Sequence, residues 1–166
     1  MSGIVLRRAR TGDVPHIARL VQTYSRDRIL LAKATVTLYE DIQEFWVAEQ
    51  DGVVVGCGAL HVLWDDLAEI RTLAADPSVR GQGVGRRLLE QLVEVAGELG
   101  VGRLFCLTFE VEFFTRNGFH EIQGTPVEPD VFDELLQSYD EGVAEFLDLE
   151  RVKPNTLGNH RMLLVL

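Results

Sequence analysis

Residues 67–99 read LAEIRTLAADPSVRGQGVGRRLLEQLVEVAGEL, and three patterns follow one another in this stretch. Leu67 to Ala75 alternates as a strand does and is closed by Asp76-Pro77, because proline cannot donate to a sheet ladder. Ser78 to Gly85 (SVRGQGVG) is a glycine-rich loop. Arg86 to Leu99 sets Leu88, Leu89, Leu92, Val93 and Ala96 on one apolar stripe at helical spacing, and Gly100 and Gly102 end the helix. A strand, a glycine turn and a helix in direct succession make an anion trap. Glycines without a Cβ let backbone amides converge on a phosphate, and the helix start adds unpaired N–H groups and the positive end of its dipole. Arg80 and Arg86 add formal positive charge. The same glycines would also suit a tight turn that needs positive φ, so the surroundings decide between the two.

On the N-terminal side, Ile4 to Arg8 reads as a short strand. Thr11-Gly12-Asp13 then caps a helix carrying Val14, Ile17, Leu20, Val21 and Tyr24 on one face. RDRILLAKATVTLYEDIQ (26–43) mixes both periods, but its second half puts Val36, Tyr39 and Ile42 on one helical face. Glu44 to Glu49, Asp51-Gly52, then Val53 to His61 is a strand, hairpin turn and strand. With a turn at Asp65-Asp66, a meander of antiparallel strands leads into the decisive stretch. On the C-terminal side, Val101 to Phe109 reads as a buried strand. Glu112 to Asn117 is a short helix with Gly118 after its end, and Phe119 to Gln123 is a further strand. From Pro126 to Gly142 the chain turns acidic, with Phe132, Leu135, Leu136 and Tyr139 spaced as a helix face; Val143 to Leu149 forms a second short helix. Arg161 to Leu166 is the last strand. The stretch from Pro126 to His160 is expected to cover either an acceptor site or a subunit interface. No repeat, linker or low-complexity tract divides the chain, so residues 1–166 are read as a single domain.

The net charge of −10 and pI of about 4.8 argue against a nucleic-acid partner or an anionic membrane surface, since both need clustered Lys and Arg. An anionic ligand must therefore meet local basic residues. Cys57 (GCGAL) and Cys106 (RLFCLTF) lie in apolar runs and read as buried thiols in a reducing compartment. MSGIVLRRARTGD lacks the apolar stretch of a signal peptide, and no segment has 18 uninterrupted apolar residues, so the expected location is the cytoplasm.

The loop is not of the Walker type, because no Lys-Ser or Lys-Thr follows its last glycine and an antiparallel meander precedes it. Nor is it a dinucleotide fingerprint, which wants GxGxxG within an N-terminal βαβ unit; here the glycines run GxGxG. The arrangement resembles the GNAT N-acetyltransferase superfamily, whose pattern is Arg or Gln, two residues, Gly, one residue, Gly or Ala. Arg80, Gly83 and Gly85 match it. Leu73-Ala74-Ala75-Asp76-Pro77 looks like the family's strand end that aligns the pantetheine arm, and FTRNGF (114–119) resembles its second cofactor motif. The resemblance is closer to the acetyltransferase domain of bacterial N-acetylglutamate synthases, in FWVAEQDGVVVGCGALH (45–61), the glycine loop and ELGVGRLFCLTFEVEFF (98–114). It covers most of residues 29–122. Larger members carry an amino-acid-kinase domain ahead of this one, and the present chain looks like the short stand-alone form, which puts arginine feedback in doubt.

That resemblance implies an α+β GNAT fold, a mostly antiparallel mixed sheet flanked by helices. It also implies acetyl-CoA as cosubstrate with no metal, and a small amino acid, glutamate or glutamine, as acceptor; a homodimer stays open. The cofactor would lie on Leu73, Ala74, Ala75, Arg80, Gly81, Gln82, Gly83, Val84, Gly85 and Arg86. Direct transfer needs a neutral amine, a polarised thioester carbonyl and a proton for the leaving thiolate. Glu69 is the candidate base, with His61 second. The N–H of Leu73 or Ala74 is the candidate carbonyl polariser. The superfamily often has a tyrosine where Phe114 stands, so solvent is left to protonate CoA. Lys33 and Arg71 suit a substrate carboxylate. Each of Glu69, Lys33 and Arg71 reads equally well as a solvated charge. Arg103 reads as solvated, and Phe113-Phe114 as core. Two other readings stand beside this one: acetylation of a polyamine, peptide N-terminus or antibiotic, and a noncatalytic acetyl-CoA sensor.

Overall fold

The structure is a computed structural model that describes residues 3–25 and 34–166. Seven strands form one sheet: β1 (Ile4–Arg8), β2 (Phe45–Gln50), β3 (Val53–Trp64), β4 (Leu67–Ala75), β5 (Arg103–Thr108), β6 (His120–Ile122) and β7 (His160–Val165). Their order is β1-β2-β3-β4-β5-β7-β6. The chain gathers into two compact units, one built from the described residues to His61 with Ile70–Gly100, the other from Val62–Glu69 with Val101–Leu166.

In the first unit β1 pairs antiparallel with β2 from Ile4↔Gln50 to Arg8↔Trp46, and β2 with β3 from Phe45↔Ala59 to Gln50↔Val53. Asp51 and Gly52 both have positive φ, 52° and 79°, the twist that a two-residue hairpin turn requires. Helix α1 (Val14–Ser25) buries Val14, Ile17, Leu20 and Val21 among Leu38, Phe45, Val47, Cys57, Ala59 and Ala74. Each such aliphatic side chain contributes about 1.5–3 kcal/mol. Helix α2 (Thr35–Glu40) corrects one expectation. Leu38 is its buried residue while Val36 and Tyr39 are exposed, and Ile42, also buried, lies beyond the helix in the 3-10 turn Ile42–Glu44; the face that Val36 and Tyr39 share points to solvent.

Helix α3 (Val84–Leu99) buries Val84, Leu88, Leu89, Leu92, Val95 and Ala96. It packs close to β3 because β3 carries two glycines. A Cβ at Gly56 would stand 2.7 Å from Val84 Cγ1 and 3.0 Å from Leu88 Cδ1, and one at Gly58 3.0 Å from Leu92 Cδ1. The helix begins at Val84, two residues before the expected Arg86, because Gly83 takes the N-cap with φ 74°. Gly100 closes it in the left-handed region, as expected.

In the second unit β4 and β5 run parallel, Leu67↔Arg103 to Glu69↔Phe105. β5 pairs antiparallel with β7 along its length, and β7 carries the short β6. β5 is shorter than the expected Val101 to Phe109: it opens at Arg103, after Gly102 N has donated to Asp66 O, and closes at Thr108, whose hydroxyl accepts from Glu110 N. Helix α4 (Val111–Arg116) buries Phe114, edge-on to Phe113 and Phe119, the core role expected of it. Helices α5 (Pro129–Leu135), α6 (Glu141–Phe146) and α7 (Lys153–Thr156) lie between Pro126 and His160. Leu135, Val143, Phe146 and Leu147 join Leu63, Leu67, Phe105 and Leu163 in one cluster. The expected helix face reaching Tyr139 is shorter: α5 stops at Leu135, Leu136 is exposed and Tyr139 is wholly so. Asp140 ends that run by capping α6, its Oδ1 accepting from Val143 N at 2.9 Å. Cys57 and Cys106 are buried and form no disulfide. Burial pushes the Cys106 thiol up, with the Glu69 charge adding to it.

Candidate active site

Strand β4 carries two charged residues in its buried run. Glu69 is 5% exposed and Arg71 7%, which corrects the alternative that either is a solvated surface charge. Burying a charge is costly unless it is paired and hydrogen-bonded, so each draws on partners within the fold, and a buried titratable group on a strand is also a candidate for chemistry. Directly after them Thr72 adopts φ 56°, a left-handed conformation that a β-branched residue takes only under constraint. The strand's regular alternation is broken there. The main-chain oxygen of Thr72 accepts from the Cys57 thiol at 3.3 Å. Beyond it Leu73 is half-buried and Ala74 buried, and the Ala75 carbonyl accepts from the Tyr24 hydroxyl. Neither Cys57 nor Tyr24 was legible as a support for β4, since both partners are main-chain oxygens that leave no mark in the sequence.

The strand ends by tying itself to the turn. Asp76 N donates to Val55 O at 2.7 Å, and Asp76 Oδ1 accepts from Ser78 N at 2.9 Å. The Ser78 hydrogen bonds hold that carboxyl below its usual range. A single 3-10 turn, Pro77–Val79, leads to Arg80, and Gln82 N donates to Val79 O. Gly81 and Gly83 have φ 84° and 74°, yet a Cβ at either would meet nothing within 4 Å. These glycines are therefore required by backbone conformation and by an open approach, with no internal packing to demand them.

The start of α3 leaves its first amides open. Gly83 offers no side-chain cap and the first turn holds no acidic residue, so neither a side-chain oxygen nor a charge competes for the first amides, which have no acceptor inside the helix. Arg80 and Arg86 are exposed. Arg86 Nε lies 2.9 Å from Glu90 Oε1, and the neighbouring Arg87 donates to Ile4 O.

His61 Nδ1 lies 2.7 Å from Glu44 Oε1 with both side chains half-buried. Arg103 corrects the expectation of a solvated residue: its Nη1 donates to Pro126 O at 2.8 Å and its Nη2 lies 3.1 Å from Asp66. Lys33 falls outside the described residues. Among the described residues no group of three His, Cys, Asp or Glu is placed to hold a metal ion, and no helix is long and apolar enough to cross a membrane.

Residues 16–119 match the acetyltransferase (GNAT) family, and the chain belongs to that family. Among its relatives, an amino-acid acetyltransferase of Mycobacterium tuberculosis is 63% identical over 98% of this chain and 94% of that protein. An amino-acid acetyltransferase of Neisseria meningitidis serogroup A is 37% identical over 70% of this chain but 27% of its own length. A crystal structure of a Mycobacterium tuberculosis protein in complex with CoA and NLQ superposes with a TM-score of 0.94 at 63% identity, covering 98% of this chain and 99% of that one. N-acetylglutamate synthase from Neisseria gonorrhoeae, complexed with coenzyme A and N-acetyl-glutamate, gives a TM-score of 0.78 at 28% identity, covering all of this chain and 36% of that one. The mixed seven-stranded sheet with flanking helices is the expected α+β fold.

Proposed function

We propose that this chain transfers the acetyl group of acetyl-CoA to the α-amine of L-glutamate or L-glutamine, the reaction of an N-acetylglutamate synthase and the first step of arginine biosynthesis. The observation that carries the reading is the order of features along β4: buried Glu69 and Arg71, the inverted Thr72, then the glycine turn and the bare start of α3. The amino-acid acetyltransferase relatives and the synthase complex with N-acetyl-glutamate support it.

In this reading the amides of Gly81 to Arg86 and the positive end of α3 bind the pyrophosphate of acetyl-CoA, with Arg80 and Arg86 adding charge. Leu73, Ala74 and Ala75 align the pantetheine arm. Glu69 takes the proton of the α-ammonium group, directly or through one water, because the ammonium form has no lone pair to attack with. Arg71 and Lys33 pair with substrate carboxylate. The amine attacks the thioester carbon, the carbonyl oxygen gathers negative charge, and the Leu73 or Ala74 N–H stabilises it. The carbon–sulfur bond breaks without an acyl-enzyme. Phe114 has no hydroxyl and sits in an aromatic cluster, so solvent protonates the CoA thiolate.

The test is thiol release from acetyl-CoA against glutamate, glutamine, other amino acids, spermidine and a peptide. Turnover confined to glutamate or glutamine is expected. Turnover on cationic amines alone overturns the acceptor, and no turnover on any amine leaves an acetyl-CoA sensor as the reading.

A further inference from the structure

The contact between Cys57 and Thr72 has no place in the chemistry above, yet it bears on the group that polarises the thioester. Cys57 lies on β3 with a fully buried side chain, and its Sγ donates to Thr72 O at 3.3 Å. Thr72 is held at φ 56°, a conformation of order 1–3 kcal/mol above the extended one that persists only where the surroundings impose it. No peptide bond among the described residues is cis, and in a planar trans peptide the C=O and the following N–H point to opposite sides. Capture of the Thr72 oxygen by the thiol thus aims the Leu73 N–H away from Cys57.

We propose that Cys57 is a positioning residue for acetyl transfer, its thiol locking the Thr72–Leu73 peptide so that the Leu73 N–H is preset for the thioester oxygen. The inference rests on the reading that this amide is the polariser. A thiol is a weak donor, but in a buried site with no competing water it is enough to bias one peptide orientation. A donor fixed before the substrate arrives needs no reorientation as charge develops. An alanine at residue 57 keeps the volume of the β3 core nearly unchanged and removes the donor; a serine keeps a donor on a shorter bond.

The experiment uses acetyl-CoA carrying carbon-13 at the thioester carbonyl, bound to the whole protein without acceptor and read by infrared difference spectroscopy. In the wild type the carbonyl band is expected below its position in water. In Cys57→Ala that displacement is lost and kcat falls about 10-fold, with KM for acetyl-CoA altered by less than about 2-fold because the pyrophosphate contacts are untouched. Cys57→Ser restores part of both. Full displacement and full kcat in Cys57→Ala overturn the role of Cys57 and leave the polariser standing. No displacement in the wild type removes the polariser itself and this inference with it. Should Cys57→Ala fail to fold, Cys106→Ala leaves Cys57 as the protein's sole thiol. Its S–H stretch in the unliganded protein is then expected at the lowered frequency of a bonded thiol, and a free-thiol band overturns the proposal.

Discussion

From Leu73 to Gly85 the groups offered to a ligand belong to the main chain: the amides after the inverted Thr72, the glycine turn and the uncapped start of α3. From Glu69 to Arg71, immediately upstream on the same strand, they are two buried side chains. Under the proposed function the difference follows from the ligands. Pyrophosphate presents several oxygens in a fixed array, so a rigid cradle of amides serves it and side-chain identity matters little. An amine that must lose a proton needs a titratable group, which only a side chain supplies. Damage should therefore take different forms in the two segments, conformational in one and chemical in the other.

The largest expected effect tests the chemical segment. Glu69→Gln keeps the shape and removes the base, so kcat should fall on the order of 10²–10³-fold while KM for acetyl-CoA stays close to wild type. The acidic limb of the pH profile of kcat should go with it. An unchanged profile in steady-state assays from acid to neutral pH would remove Glu69 from the mechanism and promote His61, already oriented by Glu44.

Next comes the conformational segment. Gly83→Val places a β-branched residue at φ 74°, where nothing obstructs the added atoms, so the cost is backbone strain alone, about 1–2 kcal/mol. Calorimetric titration should show CoA binding weakened by about 10-fold or more. Gly83→Asn, which tolerates that region, should lose less. A smaller effect is expected from Arg80→Ala, about 3-fold in CoA affinity at moderate salt and less at high salt, since the exposed guanidinium is screened. Should Arg80→Ala cost as much as Gly83→Val, the division into main-chain and side-chain segments fails.

The same division explains what could be read in advance. Glycines that need positive φ, and a helix stripe at Leu88, Leu89 and Leu92, leave a local signature, and the strand, loop and helix of residues 67–99 were legible to within two residues. Glu69 and Arg71 were legible as candidates, but their burial was not, because burial comes from strands and helices distant in sequence. Thr72 shows the limit most clearly: a threonine in a strand pattern advertises an ordinary extended residue. Its inversion comes with contacts from residues distant in sequence, such as the one from Cys57, 15 residues away. In α2 the error was local. Val36, Tyr39 and Leu38 offered competing apolar faces over barely two turns, and packing against α1 chose Leu38. In the acidic stretch, Tyr139 extended a pattern that the Asp140 cap cut short.

The smallest effect on catalysis should come from a buried charge that plays no part in it. Asp13 is as secluded as Arg71, and its carboxylate is held by one cation and one main-chain amide. Its two oxygens accept from Arg7 at 2.8 and 2.9 Å, and Oδ2 also accepts from Arg10 N at 2.7 Å. The Arg7 guanidinium holds the carboxyl below its ordinary value of 3.8. A carboxyl whose pKa is lower folded than unfolded adds stability above the unfolded value and loses it as pH falls through the folded one. Asp13→Asn should therefore destabilise the protein by about 1–2 kcal/mol at neutral pH. In denaturant titrations the gap from wild type should close as pH drops below about 4. Acetyl transfer at neutral pH and moderate temperature should be unchanged. Loss of activity in the folded variant would mean that a buried charge far along the chain from β4 also bears on the reaction, and that burial of a charge marks more of the site than Glu69 and Arg71.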